Sequence, residues 1–274
     1  MRTTRGIISV LVLCCFVLLG GCHRTPTSIS LDRVAVVGAS VTAGWGVKTP
    51  PIKGDFGAYP INLQHIMEAM IVDPHEEVAY FGEEMFFMHP TVQGTELIDE
   101  IIAHHPTVVI ALDYLFWYGY GNIDGGEAAR LAKFELGLGQ LGRIDAPIIV
   151  GNMPDMHEAV GRVLKLEQVP TSQTIAKMNA RLRQWAFTRP NISVINVHNI
   201  VEHLLADRKI VLPSHVWEAG SRSKLLQNDL LHPTLEGTVA LSLLIAESIG
   251  IDGLQDDPAI LMKHAAEIAR AHEN

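Results

Sequence analysis

The chain has 274 residues, 48% of them apolar, and a formal net charge of −9. That length suits one large domain, and the apolar content can fill a buried core, which excludes a disordered or fibrous protein. The acidic balance argues against nucleic acid and against a polybasic membrane patch as modes of binding.

Residues 1–21 read as an export signal. Arg2 and Arg5 form a basic start, an apolar stretch runs from Ile7 to Leu19, and Gly20 and Gly21 supply small residues before Cys22. The stretch is short for a bilayer span, which needs about 20 apolar residues. Cys14, Cys15 and Cys22 are the three cysteines, so removal of the signal leaves Cys22 alone and no disulfide. An ordinary cleaved signal and an uncleaved anchor also fit this pattern. LGGC resembles the lipobox of bacterial lipoproteins, which implies a lipidated Cys22 as the new N-terminus and attachment to the membrane of the bacterial cell envelope. His23 stands where an Asp retains many such proteins at the inner membrane, so the resemblance favours the outer membrane, facing the periplasm. Residues 22–31 then form a tether, and residues 32–274 a single domain.

Along that domain, strands alternate with helices. Residues 33–37 form an apolar, β-branched first strand ending at Gly38, and residues 59–70 carry helical spacing. A short second strand spans 77–81, a helix 95–104 stops before Pro106, and residues 107–112 are a continuous apolar third strand. A helix follows at 126–141, a strand at 147–150, a helix at 174–187 and a strand at 192–197. A helix near 200–206 and a long loop around Pro213 and Trp217 precede helices at 234–249 and 258–271, the last packed outside the alternation. Apolar strands alternating with helices imply an α/β fold, a five-stranded parallel sheet covered on both faces.

Walker A, HExxH, paired CxxC and GxSxG motifs are all absent. GLGQLG matches GxGxxG but closes a helix instead of following a strand, so it is a chance match. The thirteen histidines show no zinc-like spacing, and no metal or other cofactor is expected.

Ser40 sits just past strand one, at the carboxyl edge where open α/β sheets place ligands, and also suits a plain helix N-cap. Asp229 and His232, three residues apart in DLLHP, let a carboxylate meet one imidazole nitrogen and leave the other facing outward, or merely cap the next helix. Ser…Asp…His is a complete order for nucleophile, orienter and base.

Together these residues resemble the SGNH (GDSL-like) hydrolases, serine esterases and lipases with a flavodoxin-like three-layer α/β/α fold. GAS with Ser40 and the following VTAGWG match the first block, QGTEL the second, and DLLHP the last, over about residues 32–249. The resemblance implies Ser40 as nucleophile, His232 as base and Asp229 as its orienter, with N–H groups of Ser40 and Gly94 on the oxyanion. Gly94 also fits a plain turn before a helix.

The family's GxND block is altered to ALDYLFWYG, so Asp113 stands where an Asn donor is expected. An ionised carboxylate accepts and does not donate. Either Asp113 is buried and protonated, or Asn152 after strand four takes over, or two N–H groups suffice, or catalysis is lost. On the first three readings Asp113→Asn keeps or raises activity.

Tyr114, Phe116, Trp117, Tyr118 and Tyr120 crowd the same edge, where Tyr114 and Trp117 are substrate-binding candidates, although a packed loop fits as well. EEMFFMHP offers a second apolar wall. The sequence thus reads as a lipid-anchored hydrolase of a carboxylic ester carried by a lipid or glycan. The alternatives are a non-catalytic envelope lipoprotein that binds a lipid or glycan on the same fold, and a structural envelope protein.

Overall fold

Three runs of branched apolar residues, VAVVG, VVIA and IIVG, form strands β1 (Val34–Gly38), β3 (Val108–Ala111) and β4 (Ile148–Gly151), buried along their whole length. Burying one Val or Ile side chain contributes about 1.5–3 kcal/mol, so these strands anchor the core. The computed structural model describes residues 29–52, 57–250 and 253–272. The expected export signal, Cys22 and the tether through residue 28 lie outside them.

With β2 (Ala79–Gly82) and β5 (Ile192–Ile195) these strands make a parallel five-stranded sheet in the order β2-β1-β3-β4-β5. Val36 pairs with Tyr80 on one side and Ile110 on the other. The chain changes direction across the sheet between β1 and β3, and at such a switch point the loops after adjacent strands part to leave a crevice. Ser40 follows β1 there, and Asp113 follows β3.

Helices cover both faces. One layer holds α1 (Leu63–Met70) with α8 (Leu235–Ile249) and α9 (Pro258–His272). The other holds α2 (Pro90–His104), α3 (Phe116–Gly119), α4 (Gly126–Leu141) and α5 (Ser172–Phe187). The last helix therefore joins a layer of the sandwich instead of standing outside it. Between β5 and α8 lie α6 (Val197–Leu205), the two-stranded hairpin β6 (Ile210–Val211) and β7 (Val216–Trp217), and α7 (Arg222–Leu225).

Several boundaries differ from the sequence reading for local reasons. α2 begins at Pro90, five residues early, because Pro suits the first helical position. α1 begins at Leu63, where the Asn62 side chain accepts from the His65 N–H and His65 Nδ1 accepts from the Asn62 N–H. Asn196 caps α6 by accepting the Asn199 N–H, which ends β5 before Val197.

Candidate active site

Ser40 opens a run of turns over residues 40–46, not a helix, so it is no N-cap. The turn closes on itself through Ala43 N–H to Ala39 O at 2.9 Å and Trp45 N–H to Ser40 O at 2.9 Å. The second segment, from Gln227 to Thr234, loops between α7 and α8. The Gln227 N–H donates to His232 O and the Thr234 N–H to Leu225 O, pinching the loop shut. Leu230 at its tip has φ +57, a left-handed conformation that costs an L-residue about 1–2 kcal/mol. The reversal returns the Asp229 carboxylate to its own loop, where Oδ1 accepts from Leu231 N–H at 2.9 Å and His232 N–H at 3.0 Å.

These two distant segments meet. His232 Nδ1 donates to Asp229 Oδ2 at 2.7 Å, which leaves Nε2 as the acceptor for the Ser40 hydroxyl at 3.0 Å. Ser40 and His232 are 8% and 6% exposed, so the pair is shielded yet reachable. Burial by itself would raise the Asp229 pKa, but the two N–H groups and the imidazole outweigh it and hold the carboxyl below its ordinary value. A depressed carboxylate stays ionised and fixes the imidazole tautomer, the arrangement a general base requires.

Two further residues, not singled out in the sequence, complete this half. The Gln227 amide donates to Trp45 O at 2.6 Å and Pro233 O at 2.8 Å, tying the serine turn to the histidine loop. The Trp45 ring stacks on His232 with centroids 5.9 Å apart. Neither has a spacing signal, because each acts across the fold.

Asp113 lies where the third block places it but faces the wrong way for an oxyanion donor. Its Oδ1 accepts from Ala39 N–H at 3.0 Å and the Thr42 hydroxyl at 2.6 Å, and its Oδ2 accepts from Val41 N–H at 2.8 Å and Thr42 N–H at 3.4 Å. Burial raises its pKa against those four hydrogen bonds. Even when protonated, both oxygens stay turned to the serine turn. Gly38 makes room for this seat, since a Cβ there would lie 2.0 Å from Asp113 Oδ1. Asp113 therefore rivets the turn that presents Ser40. Because Ala39, Val41 and Thr42 give their N–H groups to Asp113 while Ala43, Gly44 and Trp45 bond within the turn, the Ser40 N–H belongs to neither set.

Gly94 is likewise displaced from its expected role. It lies inside α2, not in a turn before it, and is buried against the hydroxyls of Tyr118 and Tyr114. Asn152 borders the crevice at Ser40, but its Nδ2 donates to Asn196 Oδ1 at 2.8 Å and its Oδ1 accepts the His198 N–H at 2.7 Å.

The two aromatic substrate candidates are corrected too. Tyr114 is fully buried, its hydroxyl 2.8 Å from Gln140 Oε1 and 3.1 Å from Gly94 O. Trp117 packs against Phe87 and Phe116 and does not line the crevice. Phe116, between them in sequence, does. Four of the five crowded aromatics form packing beneath the edge, and the apolar wall comes from elsewhere.

That wall lines a narrow crevice running from Ser40 beneath α6 and α8. Asn152 also borders a separate, polar cleft holding Asp155, His157 and His198.

No family model matches the sequence, and no curated protein matches it. Solved structures share the fold. An acetylxylan esterase from Geobacillus stearothermophilus aligns with 84% of this chain and 100% of its own, at 16% identity and a TM-score of 0.53. A gut microbial diltiazem-metabolizing enzyme aligns with 80% of this chain at 15% identity and a TM-score of 0.50, and the chain spans 47% of that enzyme.

Proposed function

We propose that this chain is an SGNH (GDSL-like) serine hydrolase that cleaves a carboxylic ester. The observation that carries the reading is the relay in which His232 bridges Asp229 at 2.7 Å and Ser40 at 3.0 Å, across 192 residues of chain. A helix cap or a packing histidine has no need of that alignment.

In the proposed reaction Ser40 Oγ attacks the ester carbonyl while His232 Nε2 takes the hydroxyl proton. The negative charge that forms on the carbonyl oxygen is stabilised by the Ser40 N–H. Asn152 lines the same crevice, with its amide bound to Asn196 and His198. The tetrahedral intermediate expels the alcohol, which leaves with the proton from His232, and water activated by the same nitrogen frees the acid. Asp229 holds the imidazolium in place throughout.

The expected lipidated Cys22 would anchor the enzyme to the cell envelope, at the outer membrane facing the periplasm, where ester-bearing lipids and glycans are at hand. The alternative, a non-catalytic binder on the same fold, rests on Asp113 standing where an amide donor is expected, and it predicts no turnover that depends on Ser40. Turnover of p-nitrophenyl esters by the full chain, compared with Ser40→Ala and His232→Ala, is the test. Both variants should lose at least about 10³-fold in kcat, and activity equal to the parent in Ser40→Ala would end the proposal.

A further inference from the structure

The crevice that starts at Ser40 is lined almost throughout by hydrocarbon. Leu112 and Met153 follow the carboxyl ends of β3 and β4, Val201 and Leu204 descend from α6, and Ala240 and Leu241 close it from α8. Its polar side chains are Ser40, Asp113 and Asn152, and of these Asp113 is already bound to the serine turn and Asn152 to Asn196 and His198. A sugar ring placed inside would strand several hydroxyls without partners, each costing far more than its contacts return. An acetyl group on Ser40 would fall far short of Val197 and Ile200 at the end of the crevice after β5.

We propose that this crevice is an acyl-chain site and that the preferred substrate is an ester of a straight-chain fatty acid of medium length, about eight to twelve carbons. This rests on Ser40 being the nucleophile of an ester hydrolase. The length follows from the sheet. The crevice begins after β1 and reaches Val197 and Ile200 after β5, three strand spacings away, or about 14 Å at about 4.8 Å each. An extended hydrocarbon advances about 1.3 Å per carbon, given a bond of about 1.5 Å and a near-tetrahedral angle, so about ten carbons span that path. The crevice is narrow, which suits an unbranched chain, and its two methionines, Met153 and Met156, adapt their shape around a flexible one. With the acyl chain inside, the alcohol half points outward past Trp45, which is 41% exposed and stacked on His232.

The test compares p-nitrophenyl acetate, butyrate, octanoate, decanoate and palmitate with the full chain in solution. Each methylene that becomes buried should raise kcat/KM about threefold to fourfold, so octanoate should exceed acetate by at least about 100-fold, and palmitate should fall below decanoate. Ala240→Leu and Val201→Phe, which fill the crevice from opposite walls, should each cut the octanoate-to-acetate ratio by at least about tenfold. The unmodified chain carries the length profile whether or not either variant folds. Ser40-dependent hydrolysis that is flat across chain length, or best for acetate, overturns the acyl-site proposal and leaves the esterase reading standing. Absence of turnover for every ester, together with no labelling of Ser40 by a fluorophosphonate, overturns both.

Discussion

The two halves of the candidate site are built on different principles. The proton-relay half comes from two short segments whose internal spacing nearly dictates their geometry: a serine in a turn after β1, and Asp229 and His232 in one tight loop. The sequence places the oxyanion half on the N–H groups of Ser40 and Gly94, with Asp113 or Asn152 as candidates for a further donor, residues on separate elements. There the donors other than Ser40 are engaged in the scaffold: Gly94 inside α2, Asp113 on the serine turn, Asn152 with Asn196 and His198. A carboxylate three residues from an imidazole has few places to go. A donor brought from a distant helix depends on where that helix starts and which way one side chain turns.

The largest expected effect tests the relay half. Asp229→Asn should lower kcat by about 10³–10⁴-fold, because the amide removes the acceptor that fixes the His232 tautomer. A loss below tenfold would show that the carboxylate only caps its loop. Next comes Asp113→Asn, where the sequence reading and the structure disagree. Each carboxyl oxygen faces a backbone N–H, Ala39 on one side and Val41 on the other, so an amide must set its own N–H₂ against one of them. The variant should lose about 1–3 kcal/mol of stability in urea titrations, and its kcat should fall at least about tenfold as the serine turn loosens. Unchanged or higher activity would restore Asp113 to the oxyanion position.

Gly94→Ala separates the halves in another way. A Cβ there would stand 2.1 Å from the Tyr118 hydroxyl and 2.7 Å from that of Tyr114, so thermal unfolding should report a loss of about 1–3 kcal/mol. The folded fraction should keep its kcat, since the residue lies in helix packing. A selective loss of kcat with unchanged stability would return Gly94 to the site.

The smallest effect sets the two carboxyls against each other through pH. The Asp229 pKa is depressed from 3.8, so its stabilisation is complete above 3.8 and is lost as pH falls through its lower folded value. The Asp113 pKa is raised from 3.8, so the native state keeps a proton that the unfolded chain releases. Its contribution therefore declines as pH rises from 3.8 through the folded value. Urea midpoints across that range should show the advantage of the parent over Asp113→Asn shrinking as pH rises, and a growing advantage would reverse the assignment.

The legible parts of the sequence were those set by short-range pattern. The runs at β1, β3 and β4 declare themselves because both faces are buried, and alternation with helices then implies the parallel sheet. The start of α2 was misplaced because Gly94 reads as a breaker, whereas here its missing side chain admits two tyrosine hydroxyls. By sequence the aromatic cluster after β3 suits a cleft wall or a packed loop alike, and Tyr114 and Tyr118, four apart, both turn inward to Gln140. The crevice could not be read at all, since its walls come from strand ends and two helices far apart in the chain.

Covalent trapping of Ser40 tests the central claim most directly. Incubation of the full chain with a fluorophosphonate, followed by intact-mass and peptide analysis, should show one adduct, on the peptide containing Ser40, formed far more slowly in His232→Ala and absent in Ser40→Ala. No adduct on the parent chain, or the same adduct in Ser40→Ala, would contradict the account.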